Sequence, residues 1–181
     1  AFAPPESATR AWRNAPLGIG HGQTMSQPFI VALMTDLAHP APGARVLEVG
    51  TGSGYQAAVL AELGADVASI EFLPELADRA GAALRAEGYD RVALRTGDGR
   101  LGWPERAPFD AILVTAAAPE IPPALIAQLA PGGRMAIPVG PADGEQRLML
   151  VEKDADGRVR TTSVLPVLFV PLVRGPAQPG S

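Results

Sequence analysis

The 181-residue chain contains no cysteine, which excludes disulfides, thiolate nucleophiles and cysteine-based zinc sites. Its two histidines, His21 and His39, stand too isolated in sequence to suggest a metal cluster. No apolar run reaches the roughly 18–20 residues that a membrane span needs. The N-terminus lacks the basic, apolar and small-residue pattern of a secretory leader. A cytoplasmic protein without a membrane partner is therefore the simplest reading. Basic blocks are absent too, and the net charge is −4. A nonspecific nucleic-acid binder shows a positive patch, so no nucleic-acid partner is expected.

What is present is enough for a core. Apolar residues make up 47% of the chain, and the length suits one α/β domain. The expected domain covers residues 1–175, with a disordered tail at 176–181. Residues 1–25 read as an irregular arm and a glycine-containing loop on the substrate side, with Gly18, Gly20 and Gly22 in the segment Leu17 to Gln23. From Ser26 onward, Phe29, Ile30, Leu33, Met34 and Leu37 recur at helical spacing. Ser26 stands at the N-cap position, with Pro28 tolerated in the first turn.

Strand and helix signals then alternate. Strands are expected at Arg45–Val49, Val67–Ile70, Val92–Arg95, Phe109–Val114 and Met135–Val139. Helices are expected at Tyr55–Leu63, Leu76–Glu87 and Ala124–Leu129, the last stopped by Pro131, Gly132 and Gly133. Arg147–Glu152 and Val159–Leu168 flank an Asp-Gly turn, a hairpin signal. The pattern predicts a doubly wound, mostly parallel, Rossmann-like α/β sheet with an antiparallel hairpin at one edge. Ligands of such sheets bind beyond the carboxyl ends of the strands. That rule gathers Glu48–Gly54, Glu71–Leu73, Gly97–Gly99 and Thr115–Pro119 into one crevice.

The first of these loops reads Glu-Val-Gly-Thr-Gly-Ser-Gly. A dinucleotide fingerprint counted from Gly50 needs glycine at 55, where Tyr55 stands; counted from Gly52 it meets Ala57, which only weakens the match. Glu48 discriminates further. A carboxylate there repels a pyrophosphate and attracts a cation. S-adenosylmethionine carries an ammonium and a sulfonium and no phosphate, so it is the expected cofactor. Glu71, about twenty residues on, stands where a carboxylate accepts from both ribose hydroxyls. Asp98 suits the adenine amino group or, alternatively, an Asx turn.

These residues resemble the protein-L-isoaspartate O-methyltransferase family. The resemblance rests on Ile-Gly-His-Gly-Gln-Thr-Met-Ser-Gln-Pro (Ile19–Pro28), Val46–Tyr55, Gly97–Gly99, Pro108–Pro119, Pro131–Arg134, Pro138–Gly140 and Phe169–Val173. It implies transfer of a methyl group to the free carboxylate of L-isoaspartyl residues in damaged proteins and peptides, by a monomer. It also implies site residues. Ser26 matches an active-site serine. Thr24, Met25, Ser26 and Gln27 match a segment against cofactor and substrate. Glu48, Gly50, Thr51, Gly52, Ser53 and Gly54 match the methionine-end loop. Glu71 with Phe72 matches the ribose site, and Asp98 with Gly99 the adenine site. Thr115 faces the cofactor, while Ala116, Ala117, Ala118 and Pro119 form the wall toward the substrate. Ser26 can donate a hydrogen bond to a carboxylate or merely cap its helix. Three alternatives stay open: a methyltransferase for aspartate in a dedicated peptide, one for a small molecule, and a noncatalytic S-adenosylmethionine-binding module.

Overall fold

The computed structural model describes residues 2–173; the expected tail at 176–181 lies outside them. Seven strands form the main sheet: β3 (Arg45–Val49), β4 (Asp66–Glu71), β5 (Ala93–Thr96), β6 (Phe109–Val114), β7 (Leu129–Val139), β8 (Gln146–Lys153) and β9 (Val159–Val167). Their order is β5-β4-β3-β6-β7-β8-β9. The first five are mutually parallel, and β8 and β9 add antiparallel pairs at one edge. This is the doubly wound sheet with an edge hairpin that the pattern predicts.

The alternation of side chains along a strand divides the core into two layers. Leu47, Val49, Ala68, Ile70, Ile112 and Val114 point to one face, together with Leu125 of α4 (Pro123–Gln128). Val46, Val67, Ala111 and Leu113 point to the other. There they meet Met34 and Ala38 of α1 (Pro28–Ala38), Ala57 and Leu60 of α2 (Tyr55–Glu62) and Leu84 of α3 (Pro74–Ala86). Each fully buried Leu, Ile, Met or Phe contributes about 1.5–3 kcal/mol. The chain leaves β3 in one direction through β4 and β5, then returns to β6 on β3's other side. The connections leaving β3 and β6 therefore part toward opposite faces of the sheet, to α2 and α4, and a crevice opens between them at the strands' carboxyl ends.

The period-2 rule also places polar groups. Glu48 shares Val46's face, and its register partner across β3–β4 is Ser69. Both are completely buried, below α1 and α2.

Four details differ from the sequence expectation. Leu17–Gln23 is no loop. It forms a hairpin of β1 (Leu17–Gly20) and β2 (Gln23–Met25), in which Leu17, Ile19 and Met25 bury against Leu76 while the intervening glycines face outward. The glycines that suggested flexibility instead make the turn, with His21 between them in a left-handed conformation and exposed. Residues Pro5–Arg10 of the arm form a 3-10 turn. Helix α1 begins at Pro28, with Gln27 extended before it, so Ser26 does not cap it. Finally, β7 begins at Leu129, and the helix-stopping Pro131–Gly133 lies within that strand beside a register shift. No helix among the described residues is long and apolar enough to cross a membrane.

Candidate active site

The glycine loop leaves β3 and turns over the ends of β4 and β6. Gly50 has φ 97°, and a Cβ there would lie 2.5 Å from Thr115 Oγ1, so only glycine fits. Thr115 closes the contact from the β6 side: its amide donates to Val49 O at 2.9 Å and its hydroxyl to Gly50 O at 2.6 Å. Gly99 is equally constrained, since a Cβ on it would overlap the Val49 side chain. Three strand ends thus meet through glycines that leave no room for a Cβ.

The loop's amides face inward, onto the protein. Gly50 N donates to Ile70 O at 2.8 Å, and Gly52 N donates to Glu71 Oε2 at 2.8 Å. Leu73 N donates to Glu71 Oε1 at 3.0 Å. An anion-binding loop needs its amides free to point at the anion. Here three of them, those of Gly50, Thr51 and Gly52, are held by β4.

Two connected concavities result. A cleft of about 550 Å³ is lined by Gln23, Thr24, the glycine loop, Glu71, Phe72, Thr115 and the segment Val170–Val173. A recess of about 330 Å³ is lined by Thr24, Met25, Ser26, Val31, Glu48, Thr51, Ser53 and Gln56 among others. Among the described residues neither lining contains Lys or Arg, whereas two acids, Glu48 and Glu71, belong to them. The electrostatics favour a cationic ligand.

The acids differ. Glu71 is 7% exposed and holds two backbone N–H groups. Glu48 is fully buried; Ser69 Oγ donates to its Oε2 at 2.5 Å, and Thr51 Oγ1 lies 2.6 Å from Ser69 Oγ. Its Oε1 has no hydrogen-bond partner among the described residues. Burial pushes the Glu48 carboxyl up to about 8; the Ser69 bond works against this and the charge of Glu71 adds to it. A buried orphan acceptor needs a donor. An amine-bearing, phosphate-free cofactor such as S-adenosylmethionine would supply one, so the residues present fit that group.

The other expected residues divide. Thr24, Met25, Ser26, Ser53, Thr115 and Ala116 line the cleft or the recess. Ser26 also borders an outward groove with Gln27, Phe29 and Leu168. Gly54 does not line them: it starts α2 at φ 88° and packs against Leu84 of α3. Asp98 lies outside the linings as well. Its carboxylate takes the Arg100 amide and guanidinium, at 3.0 and 2.6 Å, in the Asx-type turn that opens a short 3-10 helix. Ala117 and Ala118 are buried by backbone pairing to Val170, Leu172 and Pro138, and Pro119 is exposed.

Some lining residues have no site role in the sequence reading. Val170–Val173 crosses the cleft mouth, tied by Ala117 N donating to Val170 O and Leu172 N to Ala117 O, both at 2.8 Å. The buried Gln146 side chain pins the same segment, accepting from Phe169 N at 2.7 Å and donating to Phe169 O at 3.1 Å. Gln56 lines the recess from α2. The only signal for it in the sequence is a polar residue on an otherwise apolar helix face.

Comparison with known proteins agrees with this geometry. The family profile described as Protein-L-isoaspartate(D-aspartate) O-methyltransferase (PCMT) matches residues 1–177. Protein-L-isoaspartate O-methyltransferase 2 of Polaromonas sp. (strain JS666) is 61% identical over 171 residues, 94% of this chain and 81% of that protein. The protein of the same name from Syntrophobacter fumaroxidans is 59% identical over 174 residues, 96% of this chain and 70% of that one. Among solved structures, a Plasmodium falciparum chain named protein-L-isoaspartate O-methyltransferase, in complex with S-adenosyl-L-homocysteine, superposes with a TM-score of 0.76 at 27% identity, over 90% of this chain and 81% of that one. With a profile match across nearly its whole length and relatives near 60% identity, this chain belongs to the protein-L-isoaspartate(D-aspartate) O-methyltransferase family.

Proposed function

We infer that this protein transfers a methyl group from S-adenosylmethionine to the free carboxylate of L-isoaspartyl residues in proteins and peptides. The observation that carries the reading is the crevice itself: two acids, no basic residue among the described residues, inward-turned amides, and Ser26 where the recess opens to the outside. Family membership supports the substrate class.

When bound, S-adenosylmethionine supplies a methyl group already activated on a sulfonium. The chain's task is alignment. Glu71, immobilised by two backbone donors, presents its remaining lone pairs to the ribose hydroxyls. Phe72 and Gly99 would border its adenine end, with Asp98 held nearby by Arg100. Glu48 would face its methionine end. The acceptor needs no general base, because a carboxylate with a pKa near about 4 is ionised at neutral pH. Ser26, freed from helix capping, donates its hydroxyl hydrogen to one oxygen of that carboxylate and leaves the other facing the methyl group. Holding the two in a near-attack geometry supplies most of the rate gain. Val170–Val173 and Thr115–Ala116 exclude water from the reacting atoms.

The test uses methyl-labelled S-adenosylmethionine with matched isoaspartyl and aspartyl peptides. Base-labile label is expected in the isoaspartyl peptide alone. Label in neither, despite measured cofactor binding, refutes the repair reading and leaves a binding module. Label in the aspartyl peptide points to a dedicated aspartate substrate instead. Ser26→Ala is expected to lower kcat by about 10- to 100-fold, the loss of one charge-assisted hydrogen bond, with cofactor affinity little changed.

A further inference from the structure

Two hydrogen-bond chains converge on the recess. The first starts on α1. Thr35 Oγ1 donates to Val31 O at 2.8 Å, its carbonyl four residues back. With its hydrogen so placed, the Thr35 hydroxyl can only accept from Gln56 Nε2, 2.9 Å away. This fixes which end of the Gln56 amide is nitrogen. The Gln56 oxygen must then face away from α1, and it has no partner among the described residues although Gln56 is only 6% exposed. The second chain starts on the glycine loop. Ser69 Oγ donates to Glu48 Oε2, which leaves Thr51 as the donor to Ser69. It too ends in an orphan, Glu48 Oε1. Glu48 and Gln56 line the same recess, and among the described residues they hold the only buried side-chain polar atoms without a partner.

Two buried, unpartnered oxygens in one recess, one on an amide and one on a carboxyl that ionises beside a cation, describe a site for a group with several donors and no acceptor. An ammonium has three. A phosphate or a carboxylate would meet acceptors only. We infer that the Gln56 amide oxygen and Glu48 Oε1 form a paired acceptor site for the ammonium at the methionine end of the cofactor, and that Gln56 sets selectivity for amine-bearing ligands. This rests on the reading of the crevice as the S-adenosylmethionine site. Thr35 is the positioning residue: it keeps the Gln56 amide from turning its nitrogen toward the amine. The main competing occupant is a water donating to both oxygens. A water would leave affinity indifferent to the ligand's amine.

The test measures calorimetric affinity of the full chain for S-adenosylhomocysteine and for an analogue with hydrogen in place of the α-amino group. The unsubstituted protein is expected to prefer the amine-bearing ligand by more than about tenfold, the worth of hydrogen bonds to a charged group. Gln56→Met is expected to reduce that preference by about tenfold, with affinity for the amine-free analogue unchanged. Equal losses for both ligands overturn the assignment and leave Gln56 a packing residue. No amine preference in the unsubstituted protein overturns it in favour of the water. Failure of S-adenosylhomocysteine to bind at all overturns the underlying reading of the crevice as well. Should Gln56→Met not fold, the side-chain amide resonances of Gln56 in the unsubstituted, nitrogen-15-labelled protein decide the matter. They are expected to shift with S-adenosylhomocysteine and not with the amine-free analogue; equal shifts, or none, refute the assignment.

Discussion

Glu48 and Glu71 stand on adjacent parallel strands, on the same face of the sheet, yet the protein treats them differently. Glu71 reaches the rim of the cleft, where two backbone N–H groups satisfy its charge. Glu48, near the end of β3, is sealed under α1 and α2 with one hydroxyl donor and one orphan oxygen. The first is a structural anion that organises the loop around it. The second is a latent charge, neutral until a cation arrives. The difference arises from position along the strand. At the end of β4 the glycine loop and Leu73 supply backbone donors to Glu71, whereas Glu48 lies inside β3, paired with β4 on one side and β6 on the other.

The largest expected effect of this contrast is on pH dependence. The Glu48 carboxyl lies at about 8 in the folded protein, against an ordinary value of 4.5. Between those values the folded state keeps a proton that the unfolded chain releases. Glu48's contribution to stability is therefore constant at low pH, falls as pH rises through this window, and levels off above about 8. A shift of that size corresponds to a loss on the order of 5 kcal/mol. Urea unfolding of the wild type and Glu48→Gln, followed from about pH 5 to about pH 9, is expected to show the loss only in the wild type. Parallel curves would mean that Glu48 is charged in the native state. A bound ammonium reverses the trend, because it stabilises the ionised form. Affinity for S-adenosylhomocysteine is expected to rise by up to about tenfold per pH unit between roughly pH 6 and 7.5. In Glu48→Gln this rise disappears.

Glu71→Ala probes the other side of the comparison. It strips a charged acceptor from Gly52 N and Leu73 N, each such bond contributing about 1.5–3 kcal/mol. Water entering the open cleft recovers part of this, so a stability loss of about 3 kcal/mol is expected. Binding of S-adenosylhomocysteine should become undetectable, since the loop loses its anchor and the ribose its acceptor. Glu71→Gln should lose nearly as much, because its amide nitrogen would confront one of the two N–H donors. An unchanged unfolding midpoint in either variant would show that the loop holds its shape without Glu71.

The same pair shows what was legible in the sequence. Both acids announce themselves, because each follows an apolar strand and stands beside a glycine loop or the next helix start. The alternation of strands and helices gave the sheet and hence the location of the crevice. The partners of Glu48 were hidden. Ser69 interrupts Val67–Ile70 as one small polar residue, and only the register of β3 against β4 reveals that it faces Glu48. Gln56 depends on how α2 is rotated over that pair. The Leu17–Met25 hairpin was masked because the outward residues of β1 are glycines, so no polar alternation marked that strand. The β7 extension was masked by Pro131–Gly133, which ends a helix and opens a strand at once. Asp98 suits adenine or an Asx turn by sequence, and only the fold reveals the turn with Arg100 folded back onto it.

The smallest effect is expected from Ser69→Ala, which tests whether the Glu48 side depends on its one hydroxyl. Ser69 is fully buried, so the substitution admits no water and barely changes volume. It leaves Glu48 Oε2 and the Thr51 hydroxyl without partners. Orphaning buried polar groups costs about 1–3 kcal/mol, but a neutral carboxyl suffers less than a charged one, so a loss of about 1–2 kcal/mol is expected near pH 6. The Ser69 bond holds the Glu48 carboxyl down. Without it the carboxyl rises further, the native state keeps its proton to higher pH, and the alkaline fall in stability extends beyond its wild-type limit. The wild-type and Ser69→Ala curves should therefore diverge as pH rises above about 8. If they stay parallel through that range, Ser69 does not tune Glu48, and the contrast between the two acids rests on burial alone.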